Sequence, residues 1–82
     1  MDAIRINNMS EIINDKVCYF KNTSEDKPFY FLYHPEVGLG NLLNHTIEEH
    51  KDGTITVSPS IVISIGDATV HGFLEKGKWR DV

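Results

Sequence analysis

Four histidines, His34, His45, His50 and His71, are the residues of this chain best suited to chemistry. An imidazole nitrogen binds zinc readily, and a structural zinc site takes four ligands drawn from cysteine and histidine. Three of the histidines stand beside glycines or turn residues, in stretches such as YHPEVGLGNLLNH and TVHGFLEKGKW, where knuckle ligands usually lie. Against this, the chain holds one cysteine and no Cys-x-x-Cys pair, so composition alone reads each histidine as an ordinary strand or loop residue.

Other motifs fail on spacing. The glycines of VGLGN lack the third glycine and following helix of a dinucleotide loop, and no Gly-Lys-Ser/Thr is present for a P-loop. Ser58 and Ser60 flank Pro59 without the glycines of a nucleophile elbow. His45 and His50 enclose Glu48 and Glu49, but not at the His-Glu-x-x-His spacing. Glu48 and Glu49 are neighbours on a candidate strand, point to opposite faces and cannot share one substrate. Cys18, in VCYF, has no flanking base or orienting group and reads as a small buried hydrophobe. No residue is assigned a catalytic role.

The elements that must position these side chains are nearly all strands. Ala3 to Ile6 suits an edge strand, and Met9 to Asp15 one helical turn capped by Ser10. Val17 to Lys21 and Pro28 to Tyr33 are aromatic-rich and read as paired strands across the polar turn NTSEDK. Leu42 to Ile47 follows, with Leu43, His45 and Ile47 on one face. Lys51-Asp52-Gly53 then marks a hairpin returning through Thr54 to Val57. Ser58-Pro59-Ser60 breaks the run, Ile61 to Ile65 alternates, and Gly66-Asp67 turns the chain. Thr69 to Glu75 and Lys78 to Val82 close it as a hairpin, whose EKGK turn suits a type I turn with a G1 bulge. Gly72 leaves room for a neighbouring backbone or ring, and Trp79 is the candidate. The expected fold is mainly β: a single domain over 1–82, an antiparallel sheet or partly open barrel of about six or seven short strands.

At 82 residues the chain can bury only a thin core. Hydrophobic residues make up 40% and charged residues 24%, which argues against disorder. No apolar run reaches a membrane span, and MDAIRINN lacks the pattern of a secretory signal, so a cytoplasmic protein is expected. The formal charge of −4 without a Lys/Arg cluster disfavours nucleic acid as a direct partner and suits a protein partner. Glu48, Glu49 and Asp52 are the densest acids and the candidate partner-binding residues, with Glu25 and Asp26 a second pair.

From Phe29 to residue 80 the chain resembles an uncharacterised family of small phage and prophage proteins. Its members run from an aromatic strand into Cys-Pro-x-Cys-Gly-x-x-His, then a Ser-Pro-Ser strand, then Cys-His-Ser-Phe and a terminal hairpin. Here FYFLYHP, TITVSPSIV and VHGFLEKGKW match the three blocks in order. The resemblance puts His34 and Val70 at cysteine positions, Val37 at the second knuckle cysteine, and His45 at the knuckle histidine across an insertion. It retains His71. The resemblance therefore implies a knuckle-like domain in which His34, His45 and His71 are the remaining metal candidates, with His50 or water as a fourth ligand. Losing two thiolates removes the tightest ligands, and Val37 and Val70 would fill their space. An ion-free domain, with no cofactor, is expected.

Three functional classes follow. The first is a non-enzymatic accessory protein that binds a host protein, for instance to inhibit a defence system in the manner of an anti-CRISPR protein. The second is a zinc-binding module. The third is a virion or assembly component, whose interface would draw on Tyr19, Phe29, Phe31 and Tyr33. A monomer or small homo-oligomer is expected.

Overall fold

The computed structural model describes residues 1–24 and 26–82. Among these, the mainly β expectation holds, with nine strands distributed over three small sheets rather than one sheet or a barrel. The strands are β1 (Ile4–Arg5), β2 (Cys18–Asn22), β3 (Phe29–His34), β4 (Gly38–Asn41), β5 (Thr46–Glu49), β6 (Ile55–Ser58), β7 (Ile61–Ile65), β8 (Ala68–Glu75) and β9 (Lys78–Asp81). Sheet one runs β1-β2-β3-β4, with β1 parallel to β2 and the other pairs antiparallel. Sheet two is the β5-β6 hairpin, and sheet three is the meander β7-β8-β9.

Strand β3 explains why two layers form on sheet one. Its sequence FYFLYH is apolar on both faces, so neither can be left to water. Tyr30, Leu32 and His34 are buried on one side, while Phe29, Phe31 and Tyr33 are half-buried on the other. The first face joins the main core, where Tyr19, Leu32, Ile55, Ile61, Leu74 and Trp79 meet from all three sheets. Each such aliphatic side chain contributes roughly 1.5–3 kcal/mol by leaving water. The second face is roofed by Ile6 and Ile12, which pack with Cys18, Phe20, Phe31 and Tyr33. Cys18 is fully enclosed there.

Backbone bonds join the sheets where no ladder does. Gly77 N donates to Ile55 O (3.1 Å) and Ala3 N to Gly77 O (2.8 Å). Trp79 N donates to Met1 O (2.8 Å), so the segment before β1 lies along β9.

Several local expectations are corrected. The glycine-rich stretch VGLGN contains β4, which pairs with β3 from His34↔Gly38 to Phe31↔Asn41. Gly40 suits the close packing there, because a Cβ would stand 3.2 Å from Ile63 Cδ1 and push that side chain aside. Leu42 to Ile47 is not one strand. Leu42 N donates to Tyr30 O and His45 N to Leu42 O, which makes a turn before β5 begins at Thr46. Leu42 is therefore buried and Leu43 exposed. The helical turn is one 3-10 turn at Met9–Glu11, and its cap is Asn8, whose Oδ1 accepts from Ser10 N (3.0 Å).

The EKGK turn is a two-residue loop closed by Glu75↔Lys78, with Lys76 at φ 49° and Gly77 at φ 75°. Two left-handed residues are the signature of a type I′ turn, not of a type I turn with a bulge. The I′ twist matches that of the strands it joins. Gly72 meets its expectation: a Cβ there would lie 2.8 Å from Trp79 Cε2 and 2.7 Å from Arg80 O.

Candidate functional site

Where β5 comes against β2 and β3, a polar network surrounds one ring. Tyr30 enters the core from β3, and its hydroxyl emerges at the rim to donate to Glu49 Oε2 (2.5 Å). Lys21 Nζ donates to the same oxygen (3.0 Å). Arg5 Nη1 donates to Tyr30 Oη (3.3 Å) and to Gly53 O (2.7 Å). Both cations lie near the ring, with Arg5 Cζ 5.6 Å and Lys21 Nζ 5.9 Å from its centroid. Four elements and the 50–54 turn are thus held to one phenol.

The network perturbs its acids in opposite senses. The Tyr30 hydroxyl, and after it Lys21, holds the Glu49 carboxyl below the usual carboxylate range. Burial, and after it the hydrogen bond to Glu49, raises the Tyr30 phenol. Burial also raises Tyr19. At the hairpin tip, Asp52 is lowered by the Thr54 hydroxyl (2.6 Å) and then by the Thr54 N–H (3.0 Å).

Beside the network opens a cleft of about 430 Å³. Pro28, Phe29, Leu43 and Ile47 form its apolar walls, while Lys21, Lys27 and Glu49 stand at its charged rim. Leu43 is 58% exposed although it is a large aliphatic residue. The 42–45 turn causes this: it sends Leu42 into the core and leaves Leu43 on the outer lip.

The structure does not bring the three candidate metal ligands together. Among the described residues no group of three His, Cys, Asp or Glu side chains is placed to hold an ion. His34 is buried, accepts at Nδ1 from Glu36 N (3.1 Å) and stands edge-on to Trp79 at 5.3 Å. His45 and His71 both reach Ser60, the first through Nε2 to the carbonyl (3.1 Å), the second through Nε2 to the hydroxyl (2.8 Å). His50 Nε2 is bonded to Thr56 Oγ1 (2.8 Å). Val70 lies in the main core, and Val37 packs against it.

Of the candidate partner-binding acids, Glu49 belongs to the cleft, Glu48 projects from the opposite face of β5, and Asp52 sits at the hairpin tip capping Thr54. Asp26 is exposed, and Glu25 lies outside the described residues. Of the four aromatics read as an interface, only Tyr19 is fully buried, while Phe29, Phe31 and Tyr33 share the half-buried face of β3. Tyr19 is in the core, Phe29 and Phe31 pack at 5.0 Å, and the Tyr33 hydroxyl donates to Asn14 O (3.2 Å). Sequence reasoning missed Lys21, Tyr30, Leu43 and Ile47 as a set. They are far apart in the chain, and only the fold assembles them.

No protein-family model matches the chain, and no curated protein or solved structure shows significant similarity to it.

Proposed function

We propose that this domain is a non-enzymatic accessory protein of phage or prophage type that binds a protein of the host cell. The observation that carries the reading is the cleft beside Tyr30, with apolar walls and with Lys21, Lys27 and Glu49 at its rim. Protein interfaces have that anatomy: an apolar centre that excludes water, and a polar rim that sets register and rejects wrong partners. Leu43, on the lip of the cleft, is the residue to probe, because contact there removes its exposed apolar surface from water. The overall charge of −4 suits a protein partner rather than nucleic acid.

Capture from bacterial lysate tests this. Immobilised wild-type protein retains a defined host protein, and Leu43→Asp loses it. Equal retention by both, or no retention by either, refutes the reading.

A further inference from the structure

We infer that this chain pairs with a second copy of itself through strand β7, the two strands running antiparallel about a two-fold axis at Ile63, with Val62 facing Ser64 of the second copy. This does not depend on the protein-binding reading of the cleft.

The ladder of sheet three leaves part of the β7 backbone without a partner. His71 O accepts from Val82 N (3.0 Å), so residue 71 of β8 turns toward β9, and Val70 and Gly72 turn toward β7. Bonded pairs alternate along an antiparallel ladder, so Ile61, Ile63 and Ile65 bond to Gly72, Val70 and Ala68. The N–H and C=O groups of Val62 and Ser64 therefore aim away from β8, and no other backbone group among the described residues bonds to them. Such an edge calls for a row of alternating carbonyls and amides, which an extended chain supplies.

Charge and shape make a second copy the occupant. The chain carries a net charge of −4, so two copies repel unless the surfaces that meet are free of acids. Strand β7 reads IVISI, without the charges, proline or bulge that blunt natural edges. Other edges are guarded: β5 carries Glu48 and Glu49, and β9 is covered by the segment before β1, where Trp79 N donates to Met1 O. Strand β4 is also uncharged and lies against β7, with Ile63 seated on Gly40 and Ile65 on Gly38, so these two edges share one side of the domain. Antiparallel pairing about Ile63 closes about four backbone hydrogen bonds. It also sets Ile65 opposite Ile61 of the second copy and brings the two Val62 side chains together; Val62 is 56% and Ile65 46% exposed in the single chain. A strand of this length spans about 17 Å and stacked sheets stand about 10 Å apart, so the shared side covers roughly 350 Å² per copy. That is under half of a standard interface, and the pair is accordingly weak, with a Kd on the order of 100 μM.

Sedimentation equilibrium of the full chain from about 20 μM to about 2 mM tests this. Wild type is expected to pass from monomer to dimer. Over the same range, amide exchange read by NMR should slow about fivefold at Val62 and Ser64 as the monomer fraction falls, and change little at Ile63, which is already bonded to Val70. Val62→Lys sets two like charges against each other across the pair, and Ser64→Pro removes an N–H that the single chain does not use. Each variant that keeps its far-UV circular dichroism should dimerise at least about tenfold more weakly than wild type. Unchanged exchange at Val62 and Ser64, or folded variants that dimerise as tightly as wild type, overturns the inference. A monomer at every concentration also overturns it and leaves the edge to an extended segment of a different protein.

Discussion

Substituting Gly72 by alanine isolates one packing contact and puts a number on it. The added methyl would stand 2.8 Å from Trp79 Cε2 and 2.7 Å from the Arg80 carbonyl oxygen. Neither neighbour is free to retreat. Trp79 is 2% exposed and its Nε1 is held by Asp81 Oδ1 (2.9 Å), while Arg80 belongs to β9. Overpacking of this kind costs about 1–3 kcal/mol, and a backbone obstacle favours the upper part of that range. Alanine also restricts the unfolded chain, which returns roughly 0.4–1 kcal/mol where the backbone conformation is compatible. The net expectation is about 2 kcal/mol of destabilisation, or a fall in Tm of roughly 8–16 °C for a domain of this size. A domain of this length has ~4–12 kcal/mol in hand, so the variant remains folded at room temperature. Urea and thermal unfolding followed by far-UV circular dichroism give the number. The same substitution in a Trp79→Leu background should cost at least about 1 kcal/mol less, since the ring is gone. A Gly72→Ala variant within about 0.5 kcal/mol of wild type, or equal costs in both backgrounds, refutes the reasoning.

The remaining predictions concern the turn, the network and the ion. Lys76→Asn places at φ 49° a residue that tolerates the left-handed region, and should raise stability by about 0.5–1 kcal/mol in thermal melts. Glu49 is depressed below its ordinary 4.5, so it contributes stability above that pH and loses it as pH falls through the folded value. Its side chain is 50% exposed, so screening leaves under about 1 kcal/mol. The Tm difference between wild type and Glu49→Gln should accordingly close on acidification, and a constant difference contradicts the assignment. Tyr30 is raised above its ordinary 10.0, so its contribution is complete below that pH and is lost as pH rises through the folded value; Tyr30→Phe should make the alkaline side of the stability profile shallower, with the loss due to Tyr19 remaining. With His34 bonded to Glu36, His45 and His71 each bonded to Ser60, and no group of three ligands assembled among the described residues, neither chelator nor added zinc should move Tm by more than about 1 °C. Metal bound at a preformed site would add its binding energy to stability and raise Tm by several degrees.

Strand existence was legible in this chain wherever apolar residues alternate, as in Ile61 to Ile65 and Thr69 to Glu75. Alternation failed where glycine or a turn intervened. Residues 38–41 look like loop because two of them have no side chain, yet their backbone pairs with β3, Gly38 supplies a φ of 110° and the missing Cβ of Gly40 eases its packing against Ile63. At Leu42 to Ile47 the period-two pattern continues through a hydrogen-bonded turn, which reverses the expected inside and outside of the two leucines. The candidate site was largely hidden. Glu49 stood out as part of an acidic cluster, but Tyr30 lies 19 residues from it and Arg5 a further 25 from Tyr30. Such separations leave no local signature. His45 was singled out as a ligand for an ion, and its geometry instead makes it a hydrogen-bonding residue with one atom to spare.

The path of the first six residues bears on the order in which the domain assembles. Ala3 is bonded to Gly77, Met1 to Trp79, and Ile4 and Ile6 to Val17 and Tyr19, so one short ribbon fastens sheet one to sheet three. Its near-end partner is local, but its far-end partner is more than seventy positions away, and closing so large a loop is entropically costly until other contacts have drawn the ends close. The ribbon should therefore dock late, as a seam closed over an already collapsed body.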